Sequence, residues 1–388
     1  MFSNRTNWQL TCNRLTEALD EVRSTGARVL DLTVSNPTRA GVIYNEAEIL
    51  RSLSSPYSIG YDPQPKGLLS ARSAVAEYYG TTHSLNLNPE NLILTTSTSE
   101  GYSFIFRLLC NPGDEVLVPK PSYPLFEFLA DLQDVKLVAY PLIYDHGWQI
   151  DLHSLEKVVT DRTRCVVVVH PNNPTGSFVH AEEQKALNHI CREHGLAVIA
   201  DEVFLDYSHD PIARQSFAAN RHALTFTLSG VSKISALPQM KVAWIVTSGP
   251  SAEVDAAQER LEVIADTYLS MNAPIQWATP VLLDQRHSVQ PQLLKRVLTN
   301  LAELDHQLAD QNTCERLRVE GGWYAVLRVP VTQTDEELAV DLLRSKSVLV
   351  HPGHFYDFPS DGCLVLSLIG SEDEFAEGVR LLFETVRG

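Results

Sequence analysis

The sequence predicts an α/β protein: a mostly parallel central sheet sandwiched by helices, followed by a smaller α+β domain. Three observations point there. Between about residues 90 and 250, short β-branched runs alternate with helical patterns, as in βα units that build a parallel sheet. The run Val166-Val167-Val168-Val169 lacks polar alternation, so both faces of its strand should be covered. After about residue 251 the alternation stops, and long helical stretches lead to two separate strand candidates.

The elements follow in order. Residues 91–96 read as a strand, followed by a helix over 99–110. Residues 115–118 and 136–141 read as strands, 152–159 as a helix, 164–170 as a strand and 181–194 as a helix. Two more hydrophobic runs, 196–200 and 224–228, read as strands. Beyond them come helices over 253–269 and 290–309, strands over 323–329 and 363–368, and a helix near 335–344. A chain of 388 residues allows about two domains. The expected division is an N-terminal segment, 1–45, that partly joins the small domain, a large domain over 46–285 and a small domain over 286–388.

Hydrophobic content of 44% and charged content of 20% suit a soluble chain with a large core. The formal net charge of −17 argues against nucleic acid, whose binding needs clustered basic residues. It leaves room for a small anionic ligand, because a local phosphate site needs only a few donors. Six cysteines (Cys12, Cys110, Cys165, Cys191, Cys314 and Cys363) show no CxxC or zinc-ligand spacing. They read as free thiols in a reducing cytoplasm, and no metal is expected. The N-terminus lacks an apolar stretch of signal-peptide length, and no run is long enough to span a bilayer, so no membrane partner is expected.

Four segments carry chemistry. Ser229-Gly230-Val231-Ser232-Lys233 follows the strand at 224–228. A lysine in such a turn can be held away from water. Desolvation disfavours the ammonium form and leaves a neutral nucleophile able to condense with an aldehyde. Taken alone, a lysine after a strand is ordinarily a solvated surface residue. His170-Pro171-Asn172-Asn173-Pro174-Thr175-Gly176 follows the polyvaline strand; its prolines and glycine make an irregular turn from which Asn173 can offer an amide to a ligand. Asp201-Glu202-Val203-Phe204 ends the strand at 196–200, where a buried carboxylate could pair with a protonated pyridine nitrogen. Ser97-Thr98-Ser99-Glu100-Gly101 has capping-box spacing at a helix start, which is also a phosphate cradle. In parallel sheets ligands bind beyond the carboxyl ends of strands, where all four segments fall.

As an ordered set, these segments resemble the class I/II aminotransferases, the fold type I family that depends on pyridoxal 5′-phosphate. The likeness runs from about Asp31 to the C-terminus. It implies that Lys233 carries the cofactor as a Schiff base and shuttles the proton, and that Asp201 pairs with the pyridine nitrogen. It implies that Asn173 bonds the phenolic oxygen, that Thr98 and Ser99 form the phosphate-binding turn, and that Ser232 is among the cofactor-binding residues. Tyr123, in Pro121-Ser122-Tyr123-Pro124, matches the aromatic that stacks on the ring. Tyr61 matches a tyrosine lent by the neighbouring subunit, so the resemblance implies a homodimer. The implied partners are a small-molecule amino donor and an oxo acceptor, handled in the cytoplasm.

Four positions depart from the family pattern. Phe204 stands where a tyrosine is usual and cannot donate a hydrogen bond. Gly230 stands for a serine, with Ser229 beside it as a substitute. Lys241 replaces a phosphate-binding arginine, keeping the charge but losing the fork geometry. Val365, in Gly362-Cys363-Leu364-Val365-Leu366-Ser367, stands where the family has an arginine that clamps the substrate carboxylate in bidentate fashion. Arg328, Arg39 (after Ser35-Asn36-Pro37) and Lys346 are candidate replacements. Asn36, His351, His354 and Tyr356 are candidates for the substrate side. Three functions stay open on the residues alone: an aminotransferase, a carbon–sulfur β-lyase of the same fold, or a protein that holds the cofactor without turnover. Fold does not decide among them.

Overall fold

The computed structural model describes residues 1–8, 10–124, 126–210, 215–269 and 271–387. At its centre is an eight-stranded sheet. Across it the strands run Leu92–Thr95, Ala243–Ser248, Thr225–Gly230, Ala197–Asp201, Thr163–Val169, Glu115–Lys120, Lys136–Tyr144 and Trp148–Ile150. Five of them, from Thr225–Gly230 to Lys136–Tyr144, are mutually parallel. Ala243–Ser248 and Trp148–Ile150 are antiparallel to their neighbours.

The polyvaline strand shows why the sheet needs helices on both sides. Cys165, Val167 and Val169 pack with Ile105 and Phe126 on one face. Val166 and Val168 pack with Leu187 and Ile190 on the other. Each buried valine contributes about 1.5–3 kcal/mol relative to exposure. Helices Thr98–Leu109 and Ala181–His194 supply the covering faces.

A second sheet of four strands runs Glu315–Arg316, Tyr324–Arg328, Cys363–Ser367 and His351–Pro352, all antiparallel. Helix Asp335–Lys346 lies between its strands in sequence, with Thr334 and Glu337 forming a capping box. The N-terminal residues join this part of the molecule. Leu30–Asp31 pairs in parallel with Val348–Leu349, and Leu15, Ala18 and Val22 of helix Arg14–Ser24 enter the same core as Leu342 and Leu343. Ser367 adds a tie from strand to segment, donating from N to the Leu32 carbonyl at 2.7 Å.

Several elements lie outside the expected set. Ala243–Ser248 (sequence AWIVTS) is buried throughout; a short uninterrupted apolar run carries no period that marks it as a strand. Trp148–Ile150 has only three residues. Helices Leu69–His83, Ala273–Asp284 and Glu372–Arg387 are also additional. The helix expected over 290–309 begins at Arg286 and contains Pro291. Pro291 is the sixth residue of this helix, past its first turn, so it forgoes one intrahelical bond, the one that would reach His287 O. Among the described residues, no helix is long and apolar enough to cross a membrane.

Candidate active site

The sheet register gathers the sequence motifs at one edge. The parallel strands end there at Lys120, Val169, Asp201 and Gly230. Because Ala243–Ser248 runs the other way, its first residue lies opposite both Gly230 and Thr95. Segments 96–101, 120–124, 170–176, 201–204 and 229–233, together with Lys241, therefore meet at this edge.

Lys233 sits in a four-residue helix, Val231–Ile234, that opens directly from the strand. Its turn is tied at several points. Val231 N donates to Val242 O at 3.0 Å. The Tyr207 hydroxyl donates to Lys233 O at 2.7 Å, and Gln290 Nε2 to Ile234 O at 2.9 Å. Gly230 allows this close approach, since a Cβ there would lie 2.7 Å from Val242 O. A serine at this position cannot be accommodated without movement. Nor does Ser229 stand in for it, as its hydroxyl donates to Glu202 O at 3.3 Å.

The Lys233 ammonium lies 5.3 Å from the Phe204 ring centroid and 4.7 Å from that of Trp323. Burial pushes its pKa down to about 8, with nearby Asp201 resisting the shift. Asp201 is displaced in the opposite sense. Burial raises its carboxyl to about 6, against the Val203 amide, the Tyr102 hydroxyl and Lys233. Val203 N lies 3.2 Å from Oδ1, and Tyr102 Oη 3.2 Å from Oδ2. The next acid, Glu202, turns to the other side of the strand, as alternation requires. Its carboxylate accepts from Ser216 Oγ at 2.6 Å and Phe217 N at 2.5 Å. Asp201 is thus the acid that shares the lysine's surroundings.

A lowered lysine pKa has a measurable consequence. At pH 7 a group of pKa about 8 is neutral roughly 230 times more often than one near 10.4. In cofactor-free protein, reductive labelling of Lys233 by a small aldehyde should rise about tenfold from pH 6 to 7 and level off above about pH 8. Peptide mapping across pH would show it. A labelling rate still climbing tenfold per unit at pH 9 would contradict the lowered value.

The remaining positions divide into two groups. Asn173 is buried, and its Oδ1 has no hydrogen-bond partner among the described residues. Its neighbour Asn172 is instead spent on Pro121 O and Thr175 Oγ1 at 3.1 and 2.9 Å. Ser97 caps helix Thr98–Leu109 by accepting from Glu100 N at 3.2 Å, and the first intrahelical bond is Gly101 N to Ser97 O. The Thr98 and Ser99 amides are left to face a ligand. Ser232 is half-buried, while Lys241 is exposed and left-handed at φ 54°. Tyr123 is 45% exposed and Tyr61 80% exposed. Tyr207 is fully buried against Lys233 O, so it does not offer its hydroxyl in place of the one Phe204 lacks.

The substrate-side candidates are more scattered. Arg328 does pair with Cys363 across the small sheet. However, its Nη1 is held by Glu315 at 3.0 Å and its guanidinium lies 5.6 Å from the Tyr144 ring. It stands four residues beyond Tyr324, about 13 Å along the strand. Asn36 is exposed, and its Oδ1 accepts from Thr38, at 3.1 Å from N and 2.8 Å from Oγ1. Arg39, Lys346 and His354 are exposed. Val365 is buried, flanked on the sheet by Val326 and His351. His351 Nδ1 and the Tyr356 hydroxyl are 3.0 Å apart.

The tertiary structure adds residues that no motif marked. Tyr102 bonds Asp201 from one helical turn beyond Thr98, a spacing that could have singled it out. Trp323 and Tyr324 arrive from the small sheet, with their rings 5.1 and 6.2 Å from Phe204. They lie some ninety positions from Lys233, and nothing local announces them. Gly176 permits their approach: its φ is +69°, and a Cβ would meet Gly321 O at 2.5 Å.

A half-buried amine of lowered pKa, with no hydrogen bond among the described residues, lies near an ionisable carboxyl at the carboxyl edge of a parallel sheet and beside a helix N-terminus, and this set suits an aldehyde-bearing phosphorylated cofactor. The sequence pattern described as aminotransferase class I and II matches residues 59–381, and the chain belongs to that family. Its members depend on pyridoxal 5′-phosphate, and this protein is an aminotransferase. It is 29% identical over 370 residues to an alanine aminotransferase of Mycobacterium tuberculosis, spanning 92% of this chain and 85% of the relative. It is 28% identical over 344 residues to the glutamate-pyruvate aminotransferase AlaA of Escherichia coli, spanning 86% and 84%. An Escherichia coli aminotransferase structure superposes with a TM-score of 0.87 at 25% identity, covering 100% of this chain and 98% of that one. An alanine aminotransferase from Pyrococcus furiosus shares the fold with a TM-score of 0.90 at 22% identity, each chain fully covered.

The residues present fit the cofactor. Lys233 offers an amine of lowered pKa, Asp201 a carboxyl, Asn173 a buried amide whose Nδ2 can donate to a phenolic oxygen, and Thr98 and Ser99 the amides of a helix start.

Proposed function

We propose that the protein moves an amino group from a small α-amino acid, alanine or glutamate, to a 2-oxo acid, with Lys233 as the cofactor-bearing and proton-shuttling residue. The observation that carries this is the Lys233 amine, whose pKa burial lowers to about 8 beside Asp201. The substrates are taken from the names of the mycobacterial and Escherichia coli relatives. When bound, pyridoxal phosphate supplies an aldehyde that condenses with amines and a ring that stabilises a carbanion.

The protein's residues do the rest. With the cofactor bound, Lys233 Nζ would take the proton from the donor's α-carbon as a base and give it up as an acid to the carbon of the former aldehyde; a pKa near working pH suits both directions. Asp201 holds the ring nitrogen as a cation, and Tyr102 and the Val203 amide orient its carboxylate. Asn173 serves the phenolic oxygen alone, since Phe204 has no donor. Thr98, Ser99 and Ser232 would receive the phosphate, with Lys241 adding charge from the neighbouring turn. Tyr123 flanks the ring. Tyr57, Ile59 and Tyr61 form an exposed apolar run that supports a homodimer, in which Tyr61 reaches the neighbouring site. The division into 1–45, 46–285 and 286–388 and a cytoplasmic location belong to the same reading.

The named relatives are aminotransferases, and they lend no support to the carbon–sulfur lyase alternative. The cofactor-loaded protein, given L-alanine or L-glutamate with no acceptor, should release one equivalent of 2-oxo acid per site and stop. Adding the partner 2-oxo acid should restart it. Continuous release of ammonia instead would make it a lyase.

A further inference from the structure

Val365 removes the cation with which the family holds a substrate carboxylate, and among the described residues its sheet partners are Val326 and His351, not one of the candidate replacements. Arg328 is held by Glu315, and Arg39 and Lys346 are exposed. What lies beside Val365 on the same row of the small sheet is His351, its direct partner across the strands. His351 is joined to Tyr356 through Nδ1 and the hydroxyl at 3.0 Å.

Tyr356 belongs to a phenolic cluster. Its ionisation is opposed first by burial and then by Tyr324 and Tyr123, and that of Tyr324 by burial and Tyr123. Tyr123 is in turn close enough to feel Asp201, and the Tyr324 ring contacts Phe204, which borders Lys233. The loop is fixed across the cleft, with Ser122 N donating to Tyr356 O at 2.9 Å. The adjacent Lys120 and Asp357 form an ion pair at 3.0 Å. Tyr356 is thus tied to His351 through its hydroxyl and to Ser122 through its backbone carbonyl, beside the aromatic cluster that reaches Lys233 through Tyr324 and Phe204.

We infer that Tyr356, oriented by His351, takes the place of the missing arginine and receives the amino donor's carboxylate through neutral hydrogen bonds. A neutral imidazole and a phenol share one proton along their contact, and either can be its donor. With Nδ1–H donating to the phenol oxygen, the Tyr356 O–H is free to point at the substrate. Such a site supplies a donor but no positive charge. It should therefore distinguish a carboxylate from an uncharged carbonyl far less than a bidentate guanidinium would.

The inference rests on the amino-acid donor proposed above. The test uses cofactor-loaded protein and equilibrium titration with L-alanine, L-glutamate and L-alaninamide, read from the absorbance of the lysine-linked cofactor. In the parent, alanine and alaninamide should bind within about tenfold of one another. Tyr356→Phe keeps the ring and removes only the hydroxyl. It should raise the dissociation constant and KM for the amino acid at least tenfold, about 1.4 kcal/mol, with kcat within about threefold. His351→Gln should give a smaller loss in the same direction. The inference is overturned if Tyr356→Phe binds the amino acid like the parent, or if Arg39→Ala or Arg328→Ala causes the loss instead. If the parent responds to none of the three compounds while borohydride still labels Lys233, the donor proposal itself falls and this inference with it.

Discussion

Lys233→Ala should abolish turnover while the protein still folds and takes up cofactor without a covalent link. Removing the proton-transfer group alone should cost on the order of 10²- to 10⁴-fold, and losing the covalent attachment adds to that. Borohydride treatment of the parent should place the cofactor on the peptide containing Lys233. The same treatment of the variant should leave the peptide unlabelled. Little strain should follow from the change, because the turn is held by backbone contacts, from Tyr207, Gln290 and Val242, that do not involve the lysine side chain. Recovery of the label on another lysine would refute the assignment.

The second large effect is expected at Asp201. A carboxylate beside a cationic ring stabilises both charges, so Asp201→Ala should lower the rate roughly 10²-fold or more, the scale of one lost preorganised electrostatic partner. An independent reading comes from the cofactor-free protein. Asp201 opposes the burial that lowers the Lys233 pKa. Removing its charge should let that pKa fall below about 8, so that the aldehyde-labelling profile shifts to lower pH. An unchanged profile together with a near-normal rate would mean that another acid lies under the ring. Glu202 is a poor alternative, since Ser216 and the Phe217 amide already occupy its carboxylate.

How much of this was legible in the chain depends on distance along it. The order of the motifs, the polyvaline strand and the turns at Asn173, Asp201 and Lys233 are local features. Each follows a hydrophobic strand directly, and a parallel sheet sends all such turns to one edge. The central sheet and the lysine could therefore be read from residue order. The strand Ala243–Ser248 could not, because six buried residues without alternation show no period. Its antiparallel direction is what carries Lys241 to the same edge as Lys233.

The substrate side was legible only as an absence. The sequence shows that Val365 lacks the family's cation and offers several distant cations as substitutes, with Arg328 first. Strand pairing then sets Arg328 one residue row after another away from Tyr324 and into an ion pair with Glu315, while seating His351 beside Val365. By itself the sequence determined the fold, the family, the cofactor and the motifs that approach it, because short-range periodicity and turn chemistry encode those. Only the tertiary structure decided that Trp323 lies against Lys233, that Tyr324 packs on Phe204, and that Tyr356 is joined to His351 and tied to Ser122. Those contacts depend on a separate small sheet docking across the cleft, and no local pattern specifies which of its side chains arrive.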